Sequence, residues 1–275
     1  PAACEYERCG TIWVAADETE MVEVRRKHRY YSEHGIASDI LDARSLRNAE
    51  PNLAESMAGG LLVESDSVVY QLAANKFLIE KAASRRTSLM MGVGVASISD
   101  GRVELADGSK IDSEIVINAA GAAAPLPSPQ LKIVKRKGHL VITDRYDGFI
   151  RHQLIELGYL HSAHGRDADS VAFNVQPRKT GQILLGSSRQ FGADTTEIDA
   201  GIVKRMAERA FEYVPALRKL SAIRAWTGFR PATPDNLPYI GKIPGYDKVY
   251  AAAGHEGLGI TTSLGTAELL AAEIT

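Results

Sequence analysis

Short apolar runs bounded by turn residues alternate along this chain with stretches of helical spacing, the pattern of a mixed α/β protein. Thr11–Ala15 follows Gly10 and combines β-branched and aromatic residues, which predicts a strand. Asp17, Glu18 and Glu20 suit the positive end of a helix expected to run through Met21, Val22 and Val24 to Gly35. Ser45 is expected to cap a short helix over 46–49, which Pro51 ends. Residues 59–63 read as a strand, and 70–84 as a helix with Leu72, Phe77, Leu78 and Ala82 on one side.

Residues 89–99, 102–105, 110–111 and 114–119 form a predicted β-meander, punctuated by Asp100-Gly101 and Asp107-Gly108. Its last member, within 115–121, is apolar throughout and reads as a strand buried on both faces beside a parallel neighbour. Pro125, Pro127 and Pro129 mark a linker. Strands are expected over 139–144, 171–177, 182–187, 224–229 and 248–253, with a helix over 199–213 capped by Thr196 or Asp199. Pro231, Pro234 and Pro238 predict a stiff turn, and a Gly-rich turn after Gly254 leads into a helix over 260–275.

The composition adds exclusions. A formal net charge of -2 and 24% charged residues attract neither nucleic acid nor anionic lipid over a wide area. The one basic cluster, Lys132, Lys135, Arg136 and Lys137, reads as a solvated loop or strand edge. No stretch of the sequence is apolar enough to span a bilayer. Cys4 and Cys9 can pair or stay as thiols; two cysteines make no disulfide scaffold, and a reducing compartment is expected. Cys4-x4-Cys9 has no further cysteine to complete a zinc site, and His161 with His164 has no evident third ligand, so no metal is expected. G-x-S-x-G and P-loop signatures are absent, and neither Gly257-x-Gly259 nor Gly92-x-Gly94 continues into G-x-G-x-x-G. His139 and His255 read as hydrogen-bonded structural histidines.

The chemistry-bearing segments are Gly228-Phe229-Arg230-Pro231, then Asp235-Asn236-Leu237-Pro238-Tyr239-Ile240-Gly241, then Ala253-Gly254-His255-Glu256-Gly257-Leu258-Gly259. A guanidinium at the end of a strand grips a carboxylate well, and N–H groups at a helix start form an anion site; a surface arginine and a plain tight turn are the alternatives. With Val116-Ile117-Asn118-Ala119-Ala120-Gly121 and Pro177-Arg178-Lys179-Thr180-Gly181-Gln182, the order resembles the D-amino-acid oxidase superfamily over nearly the whole chain, most of all its glycine oxidase and sarcosine oxidase branch, with the flavin dehydrogenases of opines, D-amino acids and hydroxyproline.

The resemblance implies an α/β fold: an incomplete FAD-binding Rossmann-like domain over 85–125 and 226–275, interleaved with a substrate domain over 1–84 and 126–225 built on a mainly antiparallel sheet. It implies FAD as cofactor and oxidation of the C–N bond of an amino acid, or of a secondary amine carrying a carboxylate, by hydride transfer without an acid–base residue. Arg230 would hold the substrate carboxylate, and Asn174 would lie near substrate on a strand face shared with Ala172 and Gln176. Gly254, His255, Gly257, Leu258, Gly259, Ile260 and Thr261 would form the flavin-facing turn. Ala120 and Gly121 would pack near the diphosphate or ribityl, and the backbone of Val95 would meet the adenine. Glycine oxidase carries a further cation at the position of Gly257, so a bulkier or differently charged amine than glycine is expected.

The family's opening βαβ unit needs roughly 30 residues or more. Its motif is missing, so the chain is expected to begin inside a longer product, or to have been processed, and to bind FAD weakly or not at all if it starts at Pro1. A flavin-free fragment or interaction subunit is one alternative. A related FAD enzyme for a hydroxy acid or glycerol phosphate is another. A small-molecule substrate, a homo- or hetero-oligomer, and a cytoplasmic or inner-membrane-peripheral location complete the expectations.

Overall fold

The structure is a computed structural model that describes residues 2–158 and 169–275. His161 and His164 lie outside the described residues. In chain order the strands are β1 (Thr11–Ala15), β2 (Asp39–Asp42), β3 (Gly59–Val63), β4 (Val95–Ser99), β5 (Arg102–Leu105), β6 (Lys110–Asp112) and β7 (Val116–Asn118). They continue as β8 (Val134–Arg145), β9 (Gln153–Glu156), β10 (Ser170–Pro177), β11 (Gln182–Arg189), β12 (Ala222–Ala232), β13 (Tyr239–Lys242) and β14 (Val249–Ala253). The helices are α1 (Glu18–Glu33), α2 (Ala43–Ala49), α3 (Gln71–Ala83), α4 (Ala200–Tyr213) and α5 (Gly259–Ile274).

The chain divides into two compact units. The first holds residues up to Lys81, Gly138–Gln190 and Thr195–Gly228; the second holds Ala82–Lys137, Phe191–Asp194 and Phe229–Thr275. An eight-stranded sheet, ordered β12-β8-β11-β10-β9-β1-β3-β2, dominates the first. Within it β1 and β9 run parallel, while β2–β3, β3–β1, β9–β10, β10–β11 and β11–β8 are antiparallel. One face packs Ile12, Val14, Leu154, Phe173 and Val175 against α2 and α4. There Phe173 stacks on Tyr213 with ring centroids 4.4 Å apart. The other face sets Ala15 and Leu61 under Met21 and Val24 of α1. Lys27 of α1 lies 3.9 Å from the centre of the Trp13 ring, and burial lowers its pKa below the ordinary amine value.

The second unit contains two three-stranded sheets, β13-β14-β7 and β4-β5-β6. β14 runs parallel to β7 and antiparallel to β13. Val116, Val249, Ala251, Ala253 and Ile243 form its core with Ala124 and Leu131.

Several local expectations change. Asp42, not Ser45, caps α2, because its carboxylate accepts the Ser45 N–H at 2.7 Å. Asp199 rather than Thr196 caps α4, accepting from Gly201 and Ile202. Residues 89–94 precede the meander rather than belong to it, since β4 starts at Val95. Pro231 lies inside β12, which tolerates it because β12 is an edge strand. β2, β9 and β13 add strands that short, mixed sequences did not announce. α3 has the helical spacing expected of 70–84 but buries none of its side chains.

Two burial expectations also fail. β7 is closed on one face only: Val116 and Asn118 are buried, while Ile117 between them is 47% exposed. The basic cluster is not uniformly solvated, for Lys137 is buried and the Lys135 amine pairs with Asp194 at 3.5 Å. Cys4 and Cys9 are free thiols, and burial raises the pKa of Cys9.

Candidate flavin and substrate site

The second unit gathers most of the residues singled out from sequence. Arg230 stands near the end of β12, half-buried, one residue before Pro231. β14 leads through Gly254 and a single 3-10 turn, Glu256–Leu258, into α5. Gly254 has φ +88°, and a Cβ there would meet the Thr233 methyl at 2.6 Å, so only glycine fits. Gly257 is different. A Cβ on it would find nothing nearer than Arg230 Cδ at 3.9 Å and Nε at 4.0 Å. The Gly257 position therefore borders the Arg230 side chain and leaves room beside it.

α5 begins at Gly259, one residue before the sequence expectation, and no side chain caps its first turn. Its positive end is thus open to a group that carries negative charge. His255, just before this opening, is held by α5. Its Nε2 lies 2.9 Å from Thr266 Oγ1 on α5, and burial lowers its pKa from the ordinary imidazole value. His255 thus braces the turn against the helix. Along α5, Gly259 and Ser263 line a cleft of about 620 Å³ together with Ile117, Ala252, His255 and Thr266.

Ala120 and Gly121 follow β7, and a residue that sequence reading passed over shapes their turn. Asn118 is buried; its side-chain amide donates to Ala124 O and Ser128 Oγ, both at 2.9 Å, and its carbonyl accepts the Ala120 N–H at 3.2 Å. The signal was an asparagine inside an apolar strand, where a polar side chain persists only when its hydrogen bonds are satisfied. Val95 opens β4 and is 44% exposed.

Asn174 belongs to the first unit. A β-bulge between Val171 and Asn174 breaks the strict alternation expected along β10. Ala172 and Phe173 are consequently both buried, and Ala172 does not join Asn174 and Gln176 as a half-exposed pair. Asn174 is in register with Ile155 of β9, which is in register with Trp13 of β1, so the three share one sheet face.

His139, also in the first unit, is structural. Its Nε2 accepts the Asp199 N–H at 3.1 Å, which places the ring proton on Nδ1, 3.0 Å from Ser188 Oγ. The imidazole thereby ties β8 and β11 to the cap of α4. Among the described residues there is no group of acidic, histidine and cysteine side chains able to hold a metal, and no helix long and apolar enough to cross a membrane.

The uncapped start of α5, the glycine-lined turn before it and the Asn118-organised loop suit a large anionic cofactor that is approached by backbone. Comparison with known proteins gives that geometry a family. The chain is 26% identical over 284 residues to hydrogen cyanide synthase subunit HcnC of Pseudomonas aeruginosa, covering 97% of this chain and 63% of that protein. It is 27% identical over 270 residues to glycine oxidase of Geobacillus kaustophilus, covering 95% and 68%. It therefore spans about two thirds of the length of these relatives. The crystal structure of glycine oxidase from Geobacillus kaustophilus superposes with TM-score 0.88 at 25% identity, over 98% of this chain and 72% of that one. The crystal structure of L-proline dehydrogenase from P. horikoshii shares the fold with TM-score 0.86 at 22% identity, over 99% and 73%. The family described as FAD dependent oxidoreductase matches residues 1–273, and the chain belongs to it.

Proposed function

We propose that this chain carries the substrate-anchoring and flavin-facing parts of an enzyme that oxidises the C–N bond of an amino acid or of a carboxylate-bearing secondary amine. The observation that carries the proposal is the juxtaposition within the second unit of Arg230 with the Gly254–Gly259 turn and the open positive end of α5. A guanidinium there supplies two parallel hydrogen bonds to a carboxylate, which fixes the adjoining α-carbon. The helix end favours negative charge at its N-terminus. Gly254 to Thr261 would hold the flavin ring by backbone, while Ala120, Gly121 and Val95 would border the rest of the cofactor. The flavin, when bound, supplies the two-electron acceptor. The second unit is thus the flavin-binding part, and the half-exposed Asn174 is assigned to the substrate-binding part in the first.

The relatives support this class of chemistry, since their names include glycine oxidase and D-amino acid dehydrogenase. The test begins with the full gene product that contains these residues. It is expected to purify with bound FAD or to take it up, and to turn over at least one amino acid. A colourless protein that ignores added FAD would end the proposal. Within an active preparation, Arg230→Ala should raise KM for the amino acid tenfold or more, about 1.4 kcal/mol of lost binding. An unchanged KM would remove Arg230 from the carboxylate.

A further inference from the structure

One face of the first unit's sheet carries two side-chain amides, Asn174 and Gln176. After its bulge, β10 runs in regular register, with Asn174 opposite Gly186, Val175 opposite Leu185 and Gln176 opposite Leu184. Val175 enters the core, so Asn174 and Gln176 project from the other face, roughly 7 Å apart along the strand. Each is half-buried, and among the described residues neither amide has a hydrogen-bond partner. Their lateral neighbours Ile155 and Leu184 are apolar and offer none. A polar side chain that loses water without gaining a partner is costly, and bulges recur beside active sites, where they re-aim side chains.

Gln176 also lines a small opening of about 20 Å³, together with Glu5, Glu7, Gln71, Arg178 and Lys179. That space holds about one water-sized group, so a terminal nitrogen fits and a ring does not. Its charges favour a donor over an anion. Arg178 is committed: it bonds to Glu5 at 2.5 Å and to Gln182, and its guanidinium lies 3.8 Å from the Tyr70 ring. Lys179 is exposed. The Glu7 carboxylate is hydrogen-bonded to no described residue.

We propose that Asn174 and Gln176 read the substrate's side chain and take a planar group rich in N–H donors: a carboxamide, ureido or guanidino group. Each amide offers an acceptor oxygen and a donor nitrogen, and Glu7 accepts from the terminal nitrogen in the opening. An apolar side chain of equal length would leave all three unpaired, which is how a site built on hydrogen bonds discriminates. The inference rests on the amine chemistry proposed above and names the substrate class for it.

The flavin-loaded full gene product tests it with amino acids of similar length, glutamine against methionine, and citrulline and arginine against norleucine, each as both enantiomers. Wild-type enzyme is expected to favour the N–H-bearing member in kcat/KM. Gln176→Met keeps the length and removes the hydrogen-bonding atoms. It should lower that preference about tenfold, mainly through KM, the loss of roughly one hydrogen bond. Asn174→Leu should do the same. Calorimetric binding of the same pairs should show the loss in Kd. Amine oxidation without a preference for the N–H-bearing member, or a preference unchanged in both variants, overturns the side-chain reading and leaves the amine chemistry standing. No oxidation of any amine overturns both.

Discussion

The two units treat apolar residues differently. In the first, the central strands β1 and β10 put apolar side chains into a core on one face, and β1 also meets α1 on the other. In the second, the sheet β13-β14-β7 ends on β7, whose Ile117 is 47% exposed, and α5 buries only Thr266 and Leu270 while Leu264 is 77% exposed. The sheet of the first unit closes its core on both faces, although α3 of that unit leaves Leu72 and Leu78 exposed. The second combines a small closed core with an apolar face that its own residues leave open. An exposed apolar face of that kind marks a surface adapted to contact rather than to water. The same unit carries Arg230 and the glycine turn, so this open sheet edge and helix share a unit with most of the candidate chemistry.

Three substitutions sharpen or break this contrast. The largest effect is expected in the first unit. Phe173 is fully buried and stacked on Tyr213, so Phe173→Ala should cost about 3–5 kcal/mol in chemical denaturation. A loss below about 1 kcal/mol would mean that this core is not closed in solution. Next comes Asn118 in the second unit. Asn118→Ala leaves the Ala120 N–H and the Ala124 carbonyl without their side-chain partner and should cost about 1–3 kcal/mol. It should also weaken FAD retention on gel filtration, because the turn at Ala120 and Gly121 loses its brace. Full FAD retention would remove Asn118 as a positioning residue. The smallest effect belongs to the open face. Leu264→Lys should change the melting free energy by no more than about 0.5 kcal/mol, since the leucine is 77% exposed. A loss above about 1 kcal/mol would show that something covers α5 in solution and would cancel the contrast.

Regular local signals made much of the fold legible. The β-branched run at Thr11–Ala15, the turn dipeptides of the meander and the helix at α4 all announced themselves by period and punctuation. Less was legible where neighbours far along the chain decide. β2 pairs with β3, and β9 lies between β1 and β10; neither strand has strong local character. The bulge in β10 that separates Ala172 from Asn174 arises from its register against β11, and a simple period of two cannot show it.

The candidate site divides in the same way. Arg230 and the glycine turn were visible as motifs, because the proposed carboxylate anchor and close backbone approach call for those residue types in that order. The place of Gly257 beside Arg230 and the satisfied Asn118 were not visible, since each depends on which atoms the fold brings near.

By itself the sequence determined the alternation of strands and helices, the turn chemistry and the residue types at the site, because these follow from local period, backbone preference and side-chain charge. Only the tertiary structure decided which faces close. Burial belongs to pairs of surfaces. The apolar run at β7 is the same string of residues whether one face or both are covered, and here Val116 lies in a core while Ile117 does not.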